Sequence, residues 1–298
     1  MSASSAGVLM VVLSAVCFSA KAVFAKLAYR YGADANTVLT LRMAFALPFF
    51  AVAGALASRR PLAQPLRGRE RLRLFALGSG GYYVASLLDF LGLQYVSAGV
   101  ERLILFLHPT LVVLLNALFF RESIARRTGL SLLLSYGGVA LVVWSDRPSS
   151  GSGAILGSGL IFLSALAYAF YLSFSQPLIA RHGSSRVTSE VLVVACLCAI
   201  AHFAVGADFA RLRQPWQVIA LCAVTGLAAT VIPAFLLAAG IKRIGASRAS
   251  LVGTLGPVST LLLAHWVLDE PLTPVQLAGS SLVLLGVWMV AQRPPPRE

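Results

Sequence analysis

The chain has 298 residues, of which 58% are hydrophobic and 12% are charged, and it carries a formal net charge of +13. A soluble domain is about half apolar and a quarter charged, so this composition excludes an ordinary soluble protein. The charge alone would allow a nucleic-acid partner. Long stretches of the chain contain one ionisable residue or none, however, which is typical of helices that cross a bilayer.

Ten stretches are apolar and long enough to be transmembrane helices. They lie at 7–29, 35–57, 72–95, 98–120, 128–145, 155–180, 187–206, 215–240, 246–268 and 273–291. The connections between them are short and leave no separate soluble domain. The first stretch is not expected to be a cleaved signal peptide, because no basic segment precedes it and it contains two lysines. The sequence therefore predicts an all-α integral membrane protein with ten transmembrane helices.

The basic residues are unevenly distributed between the two predicted sides of the membrane. If the N-terminus is cytoplasmic, most of them fall in the inner loops, which is the positive-inside pattern. The outer loops and their edges carry only Arg30, Arg102, Arg147, Arg211 and Arg213. We therefore expect both termini to be cytoplasmic, and the net charge then needs no nucleic-acid partner to explain it.

The two halves of the chain are similar in sequence. Residues 103–122 (LILFLHPTLVVLLNALFFRE) align without a gap with residues 251–270 (LVGTLGPVSTLLLAHWVLDE) at a shift of 148 positions, so that Pro109 matches Pro257. The first predicted span matches the sixth at a shift of 150 positions. These matches indicate that the chain is a duplication with five predicted spans in each half.

The two repeats, 1–147 and 148–298, are predicted to have opposite orientations in the membrane. Five is an odd number, so the second repeat enters from the other side, as in many secondary transporters built from inverted repeats. Pro109 and Pro257 then lie in equivalent helices near the middle of the membrane, where each removes a backbone hydrogen bond. We interpret both prolines as conformational hinges, and a harmless kink is the alternative.

Residues 92–143 resemble the characteristic half of the EamA-type transporters of the drug/metabolite transporter superfamily, and residues 241–290 resemble its second copy. The shared features are small residues at the entry to the fourth span, a proline within it, a glutamate at its end (Glu122 or Glu270) and a glycine in the next span. The resemblance covers essentially the whole chain and is closest to the bacterial aromatic amino-acid exporter type. It implies a ten-span exporter in the bacterial inner membrane.

Ionisable residues within the predicted spans are candidates for contact with substrate, because charge is costly in a bilayer. At a rise of about 1.5 Å per residue, Lys21, Asp89 and Glu101 fall at a similar depth. One interpretation places Lys21 in a central cavity, where its ammonium binds a substrate carboxylate. The other makes the three residues a salt bridge that ties spans 1, 3 and 4 together. Lys26 lies nearer the outer boundary, and we expect it to extend towards the interface.

Aromatic and polar residues complete the predicted substrate-binding site. A tyrosine in a bilayer core needs a hydrogen-bond partner, which a polar-rimmed aromatic cavity would supply. The spacing of Tyr82, Ser86 and Asp89 places them on one face of a helix. His202 and His265 are interpreted as polar packing residues. The full predicted set is Lys21, Tyr82, Tyr83, Ser86, Asp89, Glu101, Phe106, His108, Tyr168 and Tyr171.

The sequence lacks the patterns that indicate catalysis, such as a nucleophile with its base or a metal-ligand cluster. The segment GSGGYY at 78–83 lacks the lysine and the strand-to-helix setting of a phosphate-binding loop. We therefore predict no enzyme activity, cofactor or metal, and expect a monomer whose partners are a small-molecule substrate and the lipid bilayer. The predicted function is export of aromatic and other amino acids and related metabolites by alternating access. The alternative is a channel-like facilitator or a multidrug or lipid-translocating protein.

Overall fold

The computed structural model of the chain describes residues 3–59, 65–121, 126–150, 153–206 and 209–291. These residues are helical apart from short connections, and they form no strand. Within these described ranges, eight helices are long and apolar enough to cross a membrane, judged by length and composition. Two shorter apolar helices, Leu255–Leu268 and Pro274–Met289, follow them. The structure thus differs from the prediction of ten long spans near its C-terminal end, where the ninth stretch is divided in two.

The helices follow one another with short connections. Their bounds are α1 Ala3–Arg30, α2 Ala35–Ser58, α3 Gly68–Ala76, α4 Val84–Gly92, α5 Ala98–Leu105, α6 His108–Phe120, α7 Arg126–Ser150, α8 Ala154–His182, α9 Ser184–Gly206, α10 Trp216–Gly226, α11 Ile232–Ile244, α12 Ala246–Gly253, α13 Leu255–Leu268 and α14 Pro274–Ala291. A π-helical turn, Leu77–Tyr83, joins α3 to α4, and a second, Leu227–Val231, joins α10 to α11. A short 3-10 turn, Phe209–Leu212, lies between α9 and α10.

Side chains near two helix starts satisfy backbone donors there. Asp34 precedes α2 and accepts a hydrogen bond of 3.0 Å from the backbone N–H of Thr37. Ser97 precedes α5 and accepts one of 3.3 Å from the N–H of Val100. The first N–H groups of a helix have no partner within the helix, so such caps fix where it begins. The start of α5 matters most for the site, because it places Glu101 in the first turn.

The two predicted spans that carry Pro109 and Pro257 are interrupted at equivalent positions of the two halves. The helix of the fourth span stops after Leu105 and restarts at His108, with Pro109 in its first turn. The ninth span is interrupted at Thr254, which is Phe106 shifted by 148 positions, and Pro257 lies in the first turn of the helix that follows. Proline lacks the donor that the preceding turn needs, so it is tolerated where a helix starts. The prolines therefore begin new helices instead of bending continuous ones.

Two further features recur at the same shift. At this shift the π-helical turn Leu77–Tyr83 overlaps the π-helical turn Leu227–Val231, and the two end at equivalent residues. Arg121 and Asp269 end α6 and α13 in the left-handed conformation, with φ of 57° and 59°. Such values are uncommon outside glycine, so their recurrence at equivalent positions is a specific likeness between the halves.

Helices from the first half of the chain pack mainly on helices from the second half. The most extensive pairs are α7 with α14, α2 with α9, α1 with α11 and α13, and α8 with α4 and α6. Glycines permit the closest approaches: a Cβ added to Gly92 would lie 2.7 Å from the backbone oxygen of Gly157, and one added to Gly240 would lie 3.2 Å from that of Gly7. Tight crossings of this kind leave a cavity between the two halves.

Candidate functional site

A cavity of about 420 Å³ lies between the two halves of the chain. Its wall is formed by residues of α1, α2, α4, α5, α6, α8, α11, α12 and α14 together with both π-helical turns. The volume falls in the range of sites that enclose small molecules, and the wall is mostly apolar with a few charged and aromatic groups. This is the composition expected where a ligand is held by shape and oriented by a small number of polar contacts.

The wall contains most of the residues that the sequence singled out. Those that line it are Lys21, Tyr82, Ser86, Asp89, Phe106, His108, Pro109 and Tyr168. The ring of Tyr168 has its centre 5.5 Å from that of His108 and 6.0 Å from that of Tyr82, both in edge-to-face arrangements. His108 Nδ1 lies 3.0 Å from the carbonyl oxygen of Leu105, so the ring is anchored at the interruption between α5 and α6. The aromatic rings thus form one connected side of the cavity.

Four predicted residues lie outside the wall. Tyr83 turns towards α9, where its hydroxyl is 2.5 Å from Nδ1 of His202. Tyr171 packs edge-on against Tyr82, behind the wall. Glu101 and Pro257 are buried. Tyr82 therefore lines the cavity while its neighbour Tyr83 contacts α9.

Lys21 forms ion pairs with two carboxylates. Its Nζ lies 2.5 Å from Oδ2 of Asp89 and 2.9 Å from Oε1 of Glu101. The three side chains are 15%, 5% and 0% exposed, so water screens these charges little. One lysine cannot neutralise two carboxylates, and this group of three carries a charge of −1 when all are ionised. Lys21 therefore lies in the cavity wall and also ties α1 to α4 and α5.

Two arginines in the wall were not among the predicted site residues. Arg42 of α2 is 3% exposed, and its guanidinium carbon lies 4.9 Å from the centre of the Phe90 ring, as in a cation–π contact. The Nε atoms of Arg42 and Arg102 have no hydrogen-bond partner. Among the described residues, neither guanidinium lies within 4.0 Å of a carboxylate. The position of Arg42 inside an apolar predicted span could have marked it as a site residue. Arg102 was counted with the outer loops and their edges.

One end of α1 is tied to α5 and α13 by Glu270. The Glu270 carboxylate accepts hydrogen bonds of 2.9 Å from the N–H of Ala98 and 3.4 Å from that of Gly99, at the start of α5. A carboxylate at a helix N-terminus is favoured by the helix dipole. Lys26 Nζ lies 3.5 Å from the same carboxylate, so Lys26 is paired at this end of α1. Arg30 adds a hydrogen bond to the carbonyl oxygen of Leu268.

Comparison with known proteins agrees with this architecture. The EamA-like transporter family matches residues 5–144 and again residues 155–292. An uncharacterized transporter YcbK of Bacillus subtilis is 29% identical over 291 residues, which cover 96% of this chain and 92% of that protein. An uncharacterized transporter of Archaeoglobus fulgidus is 30% identical over 257 residues, covering 86% and 88%.

The fold is also similar to that of a solved protein structure. That crystal structure superposes with a TM-score of 0.66 and 17% sequence identity, over 96% of this chain and 98% of the other. Identity at that level supports a common fold alone. The family match, by contrast, extends over nearly the whole sequence and occurs twice. The chain belongs to the EamA-like transporter family, within the drug/metabolite transporter superfamily.

Proposed function

We propose that this membrane transporter exports amino acids, aromatic ones among them, and related small metabolites from bacteria by alternating access through the cavity between its halves. The observation that carries the proposal is the cavity itself, which combines buried charges with a wall of aromatic rings. A charged site between transmembrane helices is typical of a pathway for a polar substrate. The transporter acts as a monomer in the inner membrane.

The proposed architecture is ten membrane spans in two inverted five-helix repeats, with both termini in the cytoplasm. It is supported by the recurrence of the π-helical turns, the interrupted helices and the left-handed helix ends at a shift of 148 positions. In this arrangement the short helices α12 and α13 together form the ninth span and α14 forms the tenth. Broken helices beside a central site are a common feature of transporters with inverted repeats.

The interrupted helices also suggest how the cavity would change access. A short segment without continuous helical hydrogen bonds can adopt two arrangements at low cost, and both halves carry one at its equivalent position. In the proposed cycle, α6 and α13 tilt about the prolines at their starts. Glu270 and its partners at the start of α5 separate when the opposite end of the cavity closes. Pro109 and Pro257 then act as the hinges.

The transport proposal is tested by counterflow in proteoliposomes that contain the purified chain. Vesicles loaded with unlabelled substrate take up the same labelled compound from outside only if a carrier exchanges the two. We expect saturable accumulation of some members of a panel of amino acids and small carboxylates. Uptake that rises linearly with concentration would indicate a channel-like facilitator, and exchange of a labelled phospholipid between leaflets would indicate a lipid-translocating protein.

The topology is tested by impermeant thiol labelling in a variant without native cysteines. A cysteine that replaces Ser123 is expected to react from the cytoplasmic side, and one that replaces Thr273 from the outside. These positions follow the equivalent spans 4 and 9, so inverted repeats require opposite sides. Labelling of both from the same side would contradict the inverted arrangement while leaving the transport assay unaffected.

A further inference from the structure

We infer that, among the amino acids and related metabolites proposed as substrates, the cavity prefers those with a net charge of −1, namely apolar or aromatic carboxylates without a free ammonium, over zwitterionic amino acids, and that Arg42 and Arg102 bind the carboxylate. The inference rests on the proposed transport function, because it names the class of substrate for the same cavity. It also assigns the anion site to two residues that the sequence did not predict, in place of Lys21.

The first step concerns which cations are available to a ligand. Lys21 already has carboxylate oxygens at 2.5 Å and 2.9 Å, so its ammonium is largely occupied. Arg42 and Arg102 also line the cavity, but each has a buried Nε without a hydrogen-bond partner. A buried polar atom without a partner is costly, and more so when it belongs to a charged group. A carboxylate in the cavity would compensate the charge of these guanidinium groups, whose residues line the wall.

The second step is the charge of the site as a whole. Lys21, Arg42 and Arg102 are cations, and Asp89 and Glu101 are the carboxylates that accompany them. One positive charge is therefore left uncompensated in a region that water screens weakly. A monoanion brings the sum to zero, whereas a zwitterion leaves it unchanged and a cation increases it. The charge balance thus favours a carboxylate without an ammonium over an ordinary amino acid.

The third step is the shape and chemistry of the remaining wall. A guanidinium presents N–H groups in a planar fork that matches a carboxylate, so arginine binds this group with more directional specificity than lysine. Tyr82, Phe106, His108 and Tyr168 form the aromatic side of the same cavity. Such a surface accepts an aromatic or branched apolar body by edge-to-face packing. The preferred ligand is therefore a compact molecule with a carboxylate at one end and an apolar group at the other.

Binding of a charge series tests the inference. The ligands are 3-phenylpropionate, L-phenylalanine and L-phenylalaninamide, which share a skeleton and carry −1, 0 and +1. Titration calorimetry of the full chain in nanodiscs is expected to rank them in that order. Affinity for 3-phenylpropionate should exceed that for phenylalanine on the order of tenfold, as a charge-assisted hydrogen bond would give. If phenylalanine binds as tightly as 3-phenylpropionate, or if no ligand binds, the inference is wrong.

Substitution of the arginines tests their assignment. Arg102→Gln and Arg42→Gln should each lower affinity for 3-phenylpropionate on the order of tenfold and leave affinity for the neutral 3-phenylpropanamide unchanged. Arg102→Lys, which keeps the charge, should bind the anion better than Arg102→Gln. Arg186→Gln is the control, because Arg186 pairs with Glu190 away from the cavity wall. If Arg42→Gln does not fold, the affinities of Arg102→Gln and Arg102→Lys for 3-phenylpropionate decide whether an arginine binds the carboxylate.

The outcomes separate this inference from the transport proposal. If 3-phenylpropionate binds in the expected order but no compound undergoes counterflow, the anion site stands and the transport proposal fails. If phenylalanine undergoes counterflow while the arginine variants retain wild-type affinity for 3-phenylpropionate, transport stands and the anion site is refuted. Equal loss of affinity for 3-phenylpropionate and 3-phenylpropanamide would also refute it, because the arginines would then support the cavity without recognising charge.

Discussion

Replacement of Lys21 by methionine is expected to destabilise the folded chain strongly, because it removes the counter-ion of two buried carboxylates at once. Asp89 and Glu101 lie 2.5 Å and 2.9 Å from the lysine nitrogen, and their side chains are 5% and 0% exposed. Methionine fills a similar volume, so the change in packing is small. The effect therefore measures the electrostatic role of Lys21 more than its shape.

The expected magnitude follows from the burial of these groups. Removing one partner from a buried ion pair costs about 3–5 kcal/mol, because the remaining charge is left without compensation. The corresponding fall in the midpoint of thermal unfolding is on the order of 10 °C for a chain of this size. Glu101→Gln should behave differently: it keeps the pair between Lys21 and Asp89, so it should lower stability less than Lys21→Met does.

Thermal unfolding of purified variants in one detergent, followed by tryptophan fluorescence, measures these differences. The matched variant carries Lys21→Met, Asp89→Asn and Glu101→Gln together, and it should recover part of the lost stability, because no carboxylate is left without its lysine, although Arg42 and Arg102 stay in the cavity wall. A Lys21→Met variant that unfolds at the wild-type temperature would show that the lysine does not act as a brace. Failure of the triple variant to recover would show that shape and hydrogen bonding outweigh charge in this group.

Three further predictions concern helix geometry and packing. Pro109→Ala or Pro257→Ala restores a backbone donor at an interrupted helix. Each should slow counterflow several-fold with little change in unfolding temperature. Counterflow at the wild-type rate in both variants would exclude a hinge role. Gly92→Ala places a methyl group 2.7 Å from a backbone oxygen of α8 and should lower the free energy of unfolding by about 1–3 kcal/mol. Gly80→Ala is the control, because the added methyl group has no atom within 4 Å. Equal unfolding temperatures of the two variants would contradict this prediction. Burial tends to raise the pKa of Asp34, but hydrogen bonds from the first turn of α2 outweigh it and keep that pKa below its usual value. Asp34→Ala should therefore cost about 1 kcal/mol at neutral pH, and the difference from wild type should shrink as the pH falls below about 4; a constant difference across that range would contradict the capping role.

Much of the helical pattern could be predicted from the sequence, because a bilayer span demands length and an apolar composition that few other structures require. The position of Lys21 near Asp89 and Glu101 was also predictable. An unpaired charge within a bilayer is costly, so oppositely charged residues at equal depth are expected to form ion pairs. The interruption before Pro109 is also a local property of the sequence, since proline lacks a donor wherever it stands.

Other features depend on information that hydropathy does not contain. The π-helical turn Leu77–Tyr83 depends on which backbone carbonyl each N–H reaches, and hydropathy carries no information about that. Arg102 was counted with the outer edge of its span, although the predicted span and α5 both begin at residue 98 and Arg102 lies one turn inside. Tyr83 was assigned to the site by proximity in sequence, and its rotation towards His202 depends on the packing of α9.

The two π-helical turns bear on the history of the chain. A π turn holds one more residue than an α turn, so it arises when a single residue is inserted into a helix that otherwise keeps its packing. Leu77–Tyr83 and Leu227–Val231 occupy matching places, and both contribute to the cavity wall through Tyr82 and Thr230. Independent insertions would have to occur twice at one position, whereas a single ancestral insertion explains both. The simplest explanation is that one insertion preceded the duplication that the sequence likeness between the halves indicates.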